Sequence, residues 1–186
     1  MTPAAATRAP FVPPRPDESG PDGFEALDAA CLGGLLPASA QRALQAAAAA
    51  YATDDQAQEH LCQAIALAPE HPAPLIGLYR YYFYRNRLDE ALAVGLRCLA
   101  LAARANALAR DWRAVAACDA DFASLRALPR FYLFTLKACT YLHLRLGQLE
   151  AGAAMLEKLL ELDPGDGVNG TLLRDVLARH GRDDDE

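Results

Sequence analysis

The side chains that could hold a metal or act as nucleophiles are five cysteines, Cys31, Cys62, Cys98, Cys118 and Cys139, and four histidines, His60, His71, His143 and His180. A zinc site is built from pairs such as C-x2-C, or from closely spaced histidines, because its ligands must converge on one ion. No two cysteines stand in that relation, and no two histidines sit four apart. Glu59, His60 and Cys62 are close in sequence, but near-adjacent positions on a helix point in different directions. Most of the cysteines fall on apolar helical faces and read as small core residues, the usual setting of a free thiol. Their odd number, without a secretion signal, points to a reducing compartment. The chain has no G-x-x-x-x-G-K phosphate loop, no G-x-G-x-x-G fingerprint and no G-x-S-x-G elbow, and Gly165-Asp166-Gly167 reads as a turn. The expectation is a protein with no enzymatic activity, no metal and no cofactor.

The other unusual group is aromatic. Tyr79, Tyr81, Tyr82, Phe83 and Tyr84 surround their helix and cannot all face one core. They belong to the stretch from Pro72 to Arg104, which reads as two helical patterns around a polar turn. Leu75, Leu78, Tyr79 and Tyr82 recur three and four apart, so one face of the first helix is built for burial. The pattern breaks at Arg85-Asn86-Arg87, where Asn86 suits a left-handed cap. A second helix opens at Leu88 with Asp89 and Glu90 at the positive end of its dipole. Its apolar set is Leu88, Ala91, Leu92, Leu96, Cys98 and Leu99. Ala91, Gly95 and Cys98 are small enough to let the two helices approach closely. Each helix alone is too short to be stable, so the hairpin needs neighbours.

Those neighbours are copies. Leu44, Ala57 and Ala64 stand 34 residues before Leu78, Ala91 and Cys98. Leu75-x2-Leu78-Tyr79-x2-Tyr82 followed by Ala91 resembles one unit of the tetratricopeptide repeat (TPR) family, whose period is 34 residues. Ala57-x3-Leu61, Ala64 and Pro69 resemble the second half of the unit before it. A third unit runs from about Leu133 to Asp166, with Leu136, Gly147, Leu149, Leu156 and the closing Leu160-Glu161-Leu162-Asp163-Pro164. It departs from the motif at Cys139, Thr140 and His143, and at Gly152, where the family prefers Ala. The resemblance covers roughly Ala38 to Asp166 and implies an all-α fold: a right-handed solenoid of about three α-hairpins with an insertion and a C-terminal capping helix.

In that family the first helix of each hairpin lines a concave groove. The matching positions here are Ile76, Arg80, Phe83 and Tyr84 in the middle unit, and Phe134, Lys137, Tyr141 and Arg145 in the last. The resemblance thus implies a partner-binding groove with aromatic walls and cations. Such a groove suits a peptide or protein segment with apolar anchors and acidic groups or a terminal carboxylate, because aromatics and Arg dominate interface hot spots. The family's chaperone-terminus clamp uses Lys and Asn at groove positions that here hold Ile76 and Arg80, so a clamp of that kind is not expected. The stretch from His71 to Gly181, with FYLFTLK, DWRAV and the LDP ending, is also similar to small TPR proteins encoded among nitrogen-fixation genes of proteobacteria.

The remainder of the chain sets boundaries. With 186 residues and 53% hydrophobic content it can bury one core. A net charge of −6 speaks against nucleic acid as partner, which needs a basic stripe. Residues 1–22 are Pro-rich and read as a disordered tail. No apolar run is long enough for a membrane span, and no signal peptide is legible, so a cytoplasmic location is expected. A helical domain is assigned to 23–181, starting with a short helix over Gly23–Leu36. An alanine-rich helix follows from about Ala38 to Ala52, and then Gln56 to Leu67 capped by Thr53-Asp54-Asp55. The alanine-rich unit is expected to pack thinly. From Ala91 to Gly152 is 61 residues, 27 more than one period, which marks an insertion at 106–132. The helix before it is expected to run long past Arg104, with the insertion folding over one end or face of the solenoid. Val168 to His180 reads as a capping helix ended by Gly181, and residues 182–186 as an acidic tail. Three readings of function follow. The leading one is an adaptor or chaperone for another protein. The alternative is a structural homo-oligomer, a dimer for instance, paired through the aromatic face, and the third is a ligand- or metal-binding regulator, which would require stoichiometric metal in the purified protein.

Overall fold

Helix α5 (Ala127–Arg145) carries apolar side chains on every face, and twelve of its 19 residues are buried, so it must lie between other elements rather than on the surface. In the computed structural model, which describes residues 35–51, 54–124 and 126–183, it does. Seven α-helices and no strands are found among the described residues. Before α5 come α1 (Ala38–Ala49), α2 (Asp54–Leu67), α3 (Pro72–Tyr84) and α4 (Leu88–Ala105). After it come α6 (Leu149–Leu162) and α7 (Thr171–Asp183). Each helix packs on the next in the chain, α5 between α4 and α6, and α7 against α6 and α5. None of these helices is long and apolar enough to cross a membrane.

Two of the inter-helix turns are closed in the same way. Asn86 takes φ 58°, its N–H bonds the Phe83 carbonyl, and Arg87 N–H reaches back to Tyr82 O at 2.9 Å. Gly147 takes φ 73°, its N–H bonds the Leu144 carbonyl, and Gln148 N–H reaches back to His143 O at 2.9 Å. Both use the left-handed cap that satisfies the last carbonyls of a helix, with Asn in one case and Gly in the other. The close approach at Gly95 is to α5 more than to its hairpin partner α3: a Cβ there would stand 3.1 Å from Cys139 Sγ but 3.8 Å from the Tyr79 ring.

Several boundaries differ from expectation. Helix α1 stops at Ala49, short of Ala52. Helix α4 ends at Ala105 instead of running on, because Ala107 takes φ 56° and Leu108 N–H folds back to Ala103 O. The Asn106 amide locks that end, donating to Ala102 O and to Leu128 O, both at 2.9 Å, and so ties α4 to the start of α5. The irregular segment therefore spans 106–126 rather than 106–132, and α5 begins at Ala127, in line with the restart of structure that Leu128-Pro129-Arg130 marks in the sequence, Pro being acceptable in a helix's first turn. Within it Asp111 accepts from Arg113 N–H and caps a single 3-10 turn at Trp112–Ala114. The insertion is anchored by buried Val115 and Phe122, by the Phe122 ring 5.9 Å from Tyr132, and by Lys158 Nζ donating to Val115 O.

The last difference is at α7, which starts at Thr171 rather than Val168 and continues through Gly181 to Asp183. Two carboxylates hold the preceding loop. Buried Asp163 accepts from Gly167 and Val168 N–H at 3.0 and 2.9 Å, while Asp166 accepts from Thr171 N–H and from its hydroxyl. Burial pushes the Asp166 carboxyl up, but hydrogen bonds from Thr171 and Gly170, together with the Lys137 ammonium, hold it below its ordinary value. The expected 1–22 tail, most of the 23–36 helix, Thr53 and Cys31 lie outside the described residues, whereas Asp54 and Asp55, expected to cap α2, are the first two residues of that helix.

The cysteines split. Cys98 and Cys139 are buried as expected, whereas Cys62 and Cys118 are exposed. Burial pushes the Cys98 thiol up to about 12 and raises the Cys139 thiol further. Because the thiolate is the reacting form, iodoacetamide at neutral pH is expected to modify Cys62 and Cys118 and spare Cys98 and Cys139 until denaturant is added. Peptide mass spectrometry checks this, and early labelling of Cys139 would contradict the burial.

Candidate functional site

The residues singled out from the sequence fall into three groups. Phe83, Tyr84, Tyr141 and Arg145 form one continuous surface, because the C-terminal ends of α3 and α5 lie side by side. The Phe83 ring stands 6.0 Å from Tyr141 and 5.6 Å from Tyr84. The Arg145 guanidinium lies 5.7 Å from the Tyr141 ring centre and donates to its hydroxyl at 2.8 Å, while its other arm reaches Asn86 Oδ1. Arg80 stands over the Tyr84 ring at 5.9 Å, which joins it to the same surface. Cation–π placement of this kind keeps a guanidinium and an aromatic face together as one recognition element. Ile76 is half-buried against the core one turn before Arg80.

Phe134 and Lys137 do not extend this surface. Phe134 is 8% exposed and belongs to the core, with the Arg130 guanidinium over its ring at 5.2 Å. Lys137 donates to Val168 O at 2.7 Å, and burial lowers its ammonium from the usual value, with Asp166 opposing that shift. The loop between α6 and α7 thus lies against Lys137, while Phe134 is taken up by the core. The resemblance to a repeat family supplies the lining positions but not the path of this loop.

A concavity is present one hairpin earlier. A trough of about 340 Å³ lies between α1, α2 and α3, lined by Leu44, Ala47, Ala48, Tyr51, Leu61, Gly77, Arg80, Tyr81 and Tyr84. Its size falls within the range of ligand pockets, and its wall is mainly apolar. Small residues make it: Ala47 and Ala48 on α1 face Gly77 on α3, and a Cβ at Gly77 would come within 3.1 Å of Leu61. Tyr51 and Tyr84 rim it, 44% and 46% exposed. Arg85 fixes the far end, its guanidinium 4.6 Å from the Tyr51 ring and 4.4 Å from the Tyr81 ring, with Nη2 donating to Tyr51 O at 2.7 Å. Arg80 and Tyr84 are therefore shared by the trough and by the aromatic surface on α3 and α5. Sequence reasoning missed Leu44, Ala47, Tyr51 and Gly77. The signal was the alanine-rich first helix, whose thin packing leaves the space.

Chemically this surface consists of aromatic rings, apolar side chains and guanidiniums. His71, which is buried, accepts from Ala73 N–H at 3.2 Å and caps α3. Among the described residues no cluster of three or more His, Cys, Asp or Glu side chains is placed to hold a metal ion.

No family model matches the chain, and no solved structure matches it. A curated relative does: a 19.8 kDa protein, itself uncharacterised, from the nifW 5′ region of Azotobacter chroococcum mcd 1, is 41% identical over 126 residues. The match covers 67% of this chain and 71% of the relative. This agrees with the likeness, read from His71 to Gly181, to proteins of nitrogen-fixation gene regions. Identity of that level over two thirds of both chains is family membership, and the protein belongs to the family of the nifW-upstream 19.8 kDa protein of Azotobacter.

Proposed function

We propose that this protein is a non-enzymatic interaction module, a cytoplasmic adaptor or chaperone linked to nitrogen fixation, built as a TPR-like solenoid of α1/α2, α3/α4 and α5/α6 hairpins capped by α7. In a stacked array, equivalent positions of neighbouring units touch. Two such contacts support the reading: Arg85 bonds Tyr51 O, and Arg104 pairs with Glu70, each across 34 residues.

The observation that carries the functional reading is the apolar trough between α1 and α3, rimmed by Tyr51, Tyr84 and Arg80 and continuous with Phe83, Tyr141 and Arg145. Rigid aromatic side chains provide contact area at low entropic cost, and guanidiniums set orientation and select acidic groups. The partner it fits is a peptide or protein segment with apolar anchors for the trough and an acidic group or terminal carboxylate for Arg80 and Arg145.

The test is affinity capture from native extract with the wild type and an Arg80→Glu, Tyr84→Asp variant whose folding is verified by circular dichroism. A partner retained by the wild type and lost by the folded variant is the expected result. Retention of the same partners by both moves binding away from this surface. Capture of nothing by either, with a concentration-dependent dimer in sedimentation that the variant abolishes, replaces the adaptor with self-association.

A further inference from the structure

A second concavity lies on a different side of α3 and shares no residue with the trough. It has a volume of about 440 Å³ and is bounded by Pro69, Leu75, Arg97, Leu101, Arg104, Leu108 and Arg110, with Ala100 and Ala103 between them. Its construction follows from α4. Arg97, Ala100, Leu101 and Arg104 recur three and four apart and so share one helical stripe. The left-handed turn at Ala107 then folds the chain back and brings Leu108 and Arg110 over the end of that stripe. The floor is apolar and made of core residues: Leu75, Leu101 and Ala103 are 3%, 6% and 2% exposed.

Three guanidiniums around one apolar floor are conspicuous in a chain of net charge −6. Arg104 pairs with Glu70, and among the described residues no carboxylate pairs with Arg97 or Arg110. Three arginines and one glutamate leave the concavity with a net charge of +2. A single carboxylate ligand would leave half of that uncompensated, whereas a doubly charged oxyanion matches it. The planar guanidinium fork pairs with phosphate and carboxylate oxygens two at a time.

From this geometry we infer a ligand site for a small dianion with an apolar body, the oxyanion held by Arg97, Arg104 and Arg110 and the body resting on Leu75, Leu101 and Leu108. The doubly charged group is either a phosphate monoester or a dicarboxylate, and the site is independent of the adaptor surface.

Calorimetric titration of the full chain tests it, with phenyl phosphate and benzylmalonate as the two dianionic probes and benzoate and inorganic phosphate as controls. At least one dianionic probe is expected to bind saturably, about tenfold more tightly than benzoate or inorganic phosphate, and which one binds identifies the oxyanion. An Arg97→Gln, Arg110→Gln variant, both positions being exposed and outside the core, is expected to lose at least about tenfold in that affinity without a change in its thermal midpoint. A Leu108→Ser variant is expected to weaken the aryl probe and leave inorganic phosphate unchanged. The inference is overturned if neither dianion binds, if benzoate or inorganic phosphate binds as tightly as the dianionic probes, or if the double arginine variant binds like the wild type.

Discussion

Phe131→Ala is expected to lower the unfolding free energy by about 3–5 kcal/mol, the usual cost of emptying a fully buried aromatic site. Phe131 is 0% exposed, and its helix is packed between α4 and α6. Flanking residues on the same helix, Tyr132, Leu133 and Leu136, are all at most 1% exposed, so little can move in to fill the void. Since domains of this size are stable by only about 5–15 kcal/mol, the variant should be partly unfolded at moderate temperature. Phe131→Leu keeps most of the volume and should cost less than about 2 kcal/mol. Urea denaturation of the three proteins gives the comparison. A loss below about 1 kcal/mol for Phe131→Ala would mean that α5 is not the packed centre described here.

Gly152→Ala should also destabilise, against its intrinsic tendency. In a helix interior Ala is favoured over Gly by about 1 kcal/mol. Here a Cβ would meet Leu144 at 2.5 Å from Cδ2 and 3.0 Å from Cγ, with the Leu144 backbone nitrogen at 3.3 Å. Leu144 is itself 1% exposed and has no open space to turn into. Overpacking of this kind costs about 1–3 kcal/mol, which outweighs the propensity gain over most of that range. Leu144→Ala alone opens a cavity, but in a Gly152→Ala, Leu144→Ala chain the two changes should compensate by at least about 1 kcal/mol. Stabilisation by Gly152→Ala alone, or strict additivity in the double variant, would remove the steric explanation. The same contact accounts for a departure visible in the sequence, a glycine where the repeat motif prefers alanine: the preceding helix carries Leu144 at the crossing.

The helices themselves were legible because their causes are local. The three-and-four spacing of Leu75, Leu78, Tyr79 and Tyr82 defines α3, and Asn86 and Gly147 mark turns because few residues accept the backbone they need. The 61-residue offset between Ala91 and Gly152 is matched by the two turn closures at Asn86 and Gly147, which differ by the same number. Membership in a family from nitrogen-fixation gene regions was legible for a similar reason, since 41% identity is carried by residues in sequence order.

Helix ends were legible only where a glycine, asparagine or proline fixed them. The end of α4 depends on Ala107, a residue type with no preference for positive φ, held there by the bonds that Asn106 makes to two different helices. The start of α7 depends on Asp163 and Asp166, whose acceptor roles appear only when the loop has closed on them.

The sequence by itself determined the all-helical class, because helical periodicity is local and sets which side chains of one helix face the same way, while the likeness to a repeat family pointed to Arg80, Phe83, Tyr84, Tyr141 and Arg145. Only the tertiary structure decided where concavities remain. Whether a lining residue is open or filled depends on what a distant segment brings against it. Val168 covers Lys137, the core takes Phe134, small residues on α1 and α3 leave the trough at Tyr51, and the turn at Ala107 carries Arg110 to Arg97 and Arg104.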